Sequence, residues 1–398
     1  MKILSLILVF VCGCLMQAQH KHHSEPVVHS KTSDSGDIKS LDVYAANGTM
    51  HVLTAEYDVT SDASKLFYRF SPDDGTSWSD PVRVDANGAA PYARGRGTDF
   101  QLAVFEEKRV AIWLTKGSGF GGRGPLVAAH SDDGGKTWRI SETPADDGTD
   151  GDHAFIDVTA TPDGTFQAVW LDTRSGNGKG VLNAQSKDGG KTWSANRTVD
   201  PVTCECCWNV IQSDIEGKLY VLYRDKDPRD MAIGVSLDGG ESWKRLSTVG
   251  AFDWNFEGCP HAGGGLAIEG SEGDIRLHSL VWTGVEDHVG LYYLNTKKGE
   301  VEWSEPLMIG SDWAKAGDIA IDSSGRLVIA WTEEKAEGTW LQFVLSSDGG
   351  HRWSLPVQLS IPGNRPDHPR IVSQGEAFHV FWTESEGEKT VWRTERID

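Results

Sequence analysis

One eight-residue pattern, repeated five times, constrains this chain more than any other feature. Ser71–Trp78, Ser131–Trp138, Ser186–Trp193, Ser236–Trp243 and Ser346–Trp353 all read Ser-x-Asp-x-Gly-x-x-Trp. Asp and Gly at these positions build a tight turn: the Asp side chain bonds backbone amides and the Gly supplies a positive φ. The Trp is expected to pack the turn onto its own sheet. Upstream of each turn lie an apolar strand, a turn and a second strand ending in an aromatic, as in Phe100–Leu114 and Phe155–Asp172. Such units begin near residues 41, 99, 154, 207, 262, 317 and 369. Their spacing, roughly 50–60 residues, is that of a four-stranded propeller blade.

Two units break the pattern, and both breaks are informative. In the fifth, Asn295–Trp303 keeps Gly299 and Trp303 but has lost the Asp. The seventh ends at Asp398, just after its third strand. The missing fourth strand is expected at the other end of the chain, because Glu25–Ser30 (EPVVHS) resembles the fourth-strand segments DPVRVD at Asp80 and EPLMIG at Glu305. Closure by an N-terminal strand protects the last sheet edge, which would otherwise stay unpaired. The expected fold is all-β: a single domain over residues 25–398, a seven-bladed β-propeller closed by that strand. No helical periodicity competes with this reading.

The repeated turn is the Asp-box, or BNR repeat, and the chain resembles the sialidase-like β-propeller superfamily that carries it. That resemblance implies a secreted glycan-active protein, a glycoside hydrolase acting on an acidic sugar, with six blades as the alternative blade count. Sialidases hold the substrate carboxylate with three arginines and use a Tyr/Glu nucleophile pair and an Asp acid. Their first arginine precedes the first Asp-box. The matching stretch here, Gly36–Gly48, has Lys39 and no arginine, so the catalytic set does not transfer residue by residue. The chain also resembles bacterial secreted sialidase-like proteins that share its CxCCW, YRD…PRDM and CPHxGGG segments.

The net charge of −20 argues against nucleic acid as a partner, since phosphate binding needs a basic surface. Met1–Ala18 reads as a signal peptide: one lysine, an apolar run too short to anchor as a span, then small residues. Cleavage after Ala18 is expected, with Val11-Cys12-Gly13-Cys14 as an alternative lipobox that would lipidate Cys14. Residues 19–24 then form a leader. The chain is expected to be secreted or periplasmic, or lipid-anchored to the envelope, without a transmembrane segment and as a monomer.

In a propeller the Asp-box turns lie on one face. The starts of the inner strands and the ends of the second strands lie on the other, where loops from several blades converge on the central channel. The sequence places there Arg94, Arg96, Arg174, Arg224, Arg370 and His368 as binders of an acidic ligand, and Asp99, Asp157 and Asp225 as general acids or bases. It also places there the cluster Thr203–Asn209 (TCECCWN). Cys204 precedes Cys259 by 55 residues, one blade period. Three readings stay open for these cysteines. Cys204, Cys206, Cys259 and His261 form a ligand set suited to copper or zinc. A disulfide from Cys206 or Cys207 to Cys259 would staple two blades in an oxidising compartment. The thiols could also be free and buried. Function therefore divides among an acidic-glycan hydrolase, a metal-binding or redox-linked propeller, and a recognition propeller without catalysis.

Overall fold

The computed structural model describes residues 29–31, 37–93, 100–174, 176, 178–271 and 273–398. The signal peptide, the lipobox at Cys14, the leader at 19–24, the ligand candidates Arg94 and Arg96 and the acid/base candidate Asp99 lie outside them. No helix among the described residues is long and apolar enough to cross a membrane.

Seven four-stranded antiparallel sheets form a closed ring. Their inner strands are Asp37–Ala46, Gln101–Phe105, Ala154–Ala160, Val210–Ser213, Gly264–Glu269, Ala314–Ile321 and Arg365–Gln374, close to where the sequence period puts them. Seven blades are therefore correct, and the six-bladed alternative falls. In the last blade the fourth strand is His29–Lys31, paired antiparallel with Lys389–Ile397 in the register His29↔Thr394. The ring closes as the sequence implies.

The second strands supply the largest share of the core. Trp113, Trp170, Trp331 and Trp382 are fully buried, one in each of four blades. Each apolar cluster bridges two neighbouring blades, so the packing between blades is continuous around the ring.

The Asp-box is a hydrogen-bonded unit that repeats closely in all five copies. The box Ser Oγ donates to the Asp carboxylate at 2.7–3.0 Å. It accepts the N–H of the fifth-position Gly at 2.8–2.9 Å. The Asp then accepts the N–H of the seventh residue at 2.8–3.0 Å. The box Trp does not simply cover its own turn. Trp78 stands edge-on to Trp392 across the ring closure at 5.1 Å, and Trp138 and Trp353 meet Tyr68 and Tyr293 of the preceding blades at 5.5 and 5.0 Å. The fifth-position Gly does the same with backbone. At Gly135 and Gly350, φ is +88° and +85°, and a Cβ would lie 2.1 Å from the Tyr68 ring and 2.0 Å from the Tyr293 hydroxyl. The turn is thus also a joint between blades.

Candidate functional site: the channel face

Three inner-strand aspartates line the central channel with Arg370. Each ties its blade to another by accepting a main-chain N–H: Asp42 from Leu102 at 2.7 Å, Asp157 from Ile211 at 2.7 Å and Asp318 from Ile371 at 2.9 Å. The second oxygen of Asp157 accepts the N–H of Val158 at 3.0 Å. Burial pushes the Asp157 carboxyl up to about 7; the Asp42 charge adds to this, while the two amides and Arg370 oppose it. Arg370 Nε lies 3.7 Å from Asp42 Oδ1.

This gives Asp157 a defined pH signature. Its folded pKa lies above its ordinary value of 3.8, so the folded state holds the proton longer than the unfolded chain. Its contribution to stability is therefore lost as pH rises from about 4 to about 7. Asp157→Asn is expected to remove that component. The difference in unfolding free energy between wild type and variant should change across this window and be flat above it. A difference independent of pH would contradict the raised pKa.

The other expected ligands are already engaged within the protein. Arg174 bonds Asp172 at 2.8 Å, contacts Asp146 closely and approaches Asp147 at 3.8 Å. Burial alone would raise Asp172, but bonds from Arg174 and from Trp170 Nε1 hold it below its ordinary value. Buried His153 joins this group, with Nε2 at 3.3 Å from Asp147 and 3.5 Å from Asp172. Arg224 is 2% exposed. It donates to the carbonyls of Ala262 at 3.2 Å, Trp282 at 2.8 Å and Arg229, and lies over the Trp254 ring. Asp225 is closely paired with Arg245. His368 is buried, in the left-handed region at φ +53°, with Nδ1 3.4 Å from the Thr383 hydroxyl.

The cysteine cluster assembles differently from the expected ligand set. Cys204 and Cys206 meet Cys207, with Cys204 Sγ 3.8 Å from Cys206 Sγ and 3.3 Å from Cys207 Sγ. The four cysteines 204, 206, 207 and 259 are free thiols, so no disulfide joins Cys206 or Cys207 to Cys259. Cys259 is exposed, and the three-thiol group does not include it or His261. The Nδ1 of His261 turns back to the Cys259 carbonyl at 3.0 Å. The alternation of an extended strand would have put Cys207 on the opposite side from its neighbours. Residues 204–209 precede the inner strand and turn at 205–206, and all three cysteines are buried together.

A cleft of about 730 Å³ opens on the same face across the fourth to seventh blades. Trp208, Trp282 and Trp313 line it, with Lys315 and Arg365 as cations and Glu334 and Asp367 as carboxylates. Trp208 sits hard against Gly263, where a Cβ would come within 2.6 Å of the tryptophan Cβ; this explains a glycine in the CPHAGGG segment. Trp282 is fixed by its Nε1 donating to the Ala314 carbonyl at 3.1 Å, and Trp313 is 57% exposed. Sequence reasoning missed Trp282, Trp313 and Arg365. The first reads as one more strand-end aromatic, and only its position at the mouth separates it from core. The signal for Trp313 was a large aromatic immediately ahead of an inner strand.

Residues 16–253 match the BNR repeat-like domain family. No curated protein matches the chain. Among solved structures, a protein of unknown function from Dyadobacter fermentans DSM 18053 aligns with TM-score 0.55 at 12% identity, over 93% of this chain and 98% of that one. The NanB sialidase of Streptococcus pneumoniae, in complex with 2-[(3-chlorobenzyl)ammonio]ethanesulfonate, aligns with TM-score 0.52 at 12% identity, over 94% of this chain and 70% of that one. YCF48 bound to D1 peptide aligns with TM-score 0.55 at 13% identity, over 94% and 96%. At these identities the likeness is one of fold. With five Asp-boxes on a seven-bladed ring and a family match over more than half its length, this chain belongs to the BNR repeat-like domain family and has a sialidase-like propeller fold.

Proposed function

We propose that this protein is an exported glycan-recognition propeller that binds an acidic sugar in the cleft across its fourth to seventh blades. The carrying observation is the composition of that cleft: three tryptophans with the exposed cations Lys315 and Arg365. Aromatic faces take the apolar faces of sugar rings, and the two cations supply charge-assisted hydrogen bonds to a carboxylate or sulfate. The fold neighbour NanB, a sialidase captured with a sulfonate, supports an anionic ligand. The apolar run within Met1–Ala18 supports export.

Calorimetric titration with sialosides and uronic-acid oligosaccharides tests this reading. The Lys315→Ala/Arg365→Ala double variant is expected to bind about 10–100-fold more weakly, from two charged hydrogen bonds worth about 1.5–3 kcal/mol each before solvent discounting. Both side chains are exposed, so its melting temperature should not move. Trp313→Ala should cost about tenfold. Affinity unchanged in both variants would remove the cleft as the site.

Hydrolysis of the bound sugar is a second reading. It is favoured by Glu334 and Asp367, whose exposed carboxylates share the cleft with the cations. Turnover of reporter glycosides by the wild type, abolished in Glu334→Gln or Asp367→Asn, would establish it. Binding without turnover leaves recognition as the function.

A further inference from the structure

The three-thiol cluster is independent of the glycan cleft and does not depend on the reading given to it. Cys204, Cys206 and Cys207 are 1, 3 and 2% exposed, and their sulfurs all lie within 4.8 Å of one another. Three ordinary buried thiols have no reason to converge, since sulfur–sulfur hydrogen bonds are weak. A metal–thiolate bond of about 2.3 Å spaces three sulfurs about 4 Å apart in a trigonal plane. The observed 3.3 and 3.8 Å separations are near that spacing and need only a small opening.

The electrostatics around the cluster are those of an anion site. Arg229 donates to Cys204 Sγ at 3.2 Å. Arg224 is buried with only carbonyls as hydrogen-bond acceptors, and its charge favours the thiolate at Cys204 and Cys207.

We propose that Cys204, Cys206 and Cys207 bind one Cu(I) ion in a trigonal three-thiolate site, with Arg224 and Arg229 as counter-charges. Soft thiolates select Cu(I) and zinc among common metals. Structural zinc wants four ligands, and no fourth Cys, His, Asp or Glu joins this group among the described residues. Iron–sulfur clusters also want four cysteines or an equivalent set. Cu(I) with three thiolates is complete and carries two negative charges, which two arginines balance. Binding is not a redox step: Cu(I) displaces the protons that the thiols carry, which pass to solvent, and its oxidation state does not change. Affinity therefore falls as pH falls.

The test is anaerobic titration of the full reduced chain with Cu(I) bicinchoninate, with zinc chloride in parallel, followed by metal analysis and copper-edge X-ray absorption. One copper per chain with three sulfur neighbours is expected. Cys204→Ser and Cys207→Ser should lose more than the ~10–100-fold that removing a supporting residue costs. Arg229→Ala, which keeps all three thiols and so guards against misfolding of the serine variants, should bind about 10–100-fold more weakly. Cys259→Ser should bind as wild type. The proposal is overturned if folded protein in which Cys204, Cys206 and Cys207 are all reduced takes up no copper. It is also overturned if Cys259→Ser abolishes binding, if zinc displaces copper at equal concentration, or if the purified protein already carries a Cys204–Cys207 disulfide.

Discussion

Arg224→Ala is expected to cost the protein at least about 3 kcal/mol of unfolding free energy, because the guanidinium satisfies three main-chain carbonyls at the joint between the fourth and fifth blades. Each buried carbonyl left without its donor costs about 1–3 kcal/mol. The packing over the Trp254 ring is lost as well. Arg224→Lys should fall between the two, since one ammonium cannot reach three diverging acceptors. Denaturant unfolding checks this through a lowered midpoint at unchanged slope. A shift under about 1 kcal/mol would show that the seat accepts water in place of the guanidinium. The sign of the effect matters for function: a variant that loses ligand binding by unfolding says nothing about anion recognition. Melting must be measured beside any binding assay on Arg224.

Gly350→Ala is the second large effect. The residue has φ +85° and a Cβ there would lie 2.0 Å from the Tyr293 hydroxyl and 2.6 Å from the ring carbon that carries it. A left-handed alanine costs about 1–2 kcal/mol before any clash. The tyrosine cannot swing freely, because its hydroxyl bonds His278 Nδ1 at 2.7 Å and its ring meets Trp353 edge-on at 5.0 Å. A total of about 3–4 kcal/mol is expected, from the backbone cost plus a typical overpacking cost. Tyr293→Phe in the same chain removes the nearest atom and should recover part of the loss, so the pair should be coupled in a double-mutant cycle. Strict additivity would mean the blade joint relaxes elsewhere.

Much of the architecture was legible in the sequence. The Asp-box is specified by residues within eight positions of each other, and its bonds form as the turn chemistry requires. Blade count and ring closure follow from a repeat period and from one displaced strand signature, and His29–Lys31 pairs with the last blade accordingly. The role of the box Trp was only half legible. Turn chemistry says that it packs, and the ring decides that Trp78, Trp138 and Trp353 pack on the preceding blade.

The site was less legible, for a physical reason that Asp157, Arg174 and Arg224 illustrate. Strand order places all three on the channel face, and each is held there by partners within the protein. Arg174 is taken up nearby, by Asp172 two residues back, but the availability of the other two depends on partners far away in the chain. Asp157 is taken up by Ile211, 54 residues on, and Arg224 by carbonyls 38 and 58 residues on. No local pattern encodes those pairings, because they arise only when neighbouring blades dock. Cys207 shows the same limit at short range. Alternation along a strand would turn it away from Cys204, and the chain is a turn there.

The sequence by itself therefore determined the repeating unit, the number of units and the strand that closes them, since these rest on turn chemistry and period. The tertiary structure alone decided which charges remain open to a ligand, that three thiols converge without Cys259, and that three tryptophans from different blades face one cleft. The open charges and the tryptophans are set by blade-to-blade docking, through contacts between segments tens of residues apart, whereas the thiols are gathered by a local turn that strand alternation does not describe.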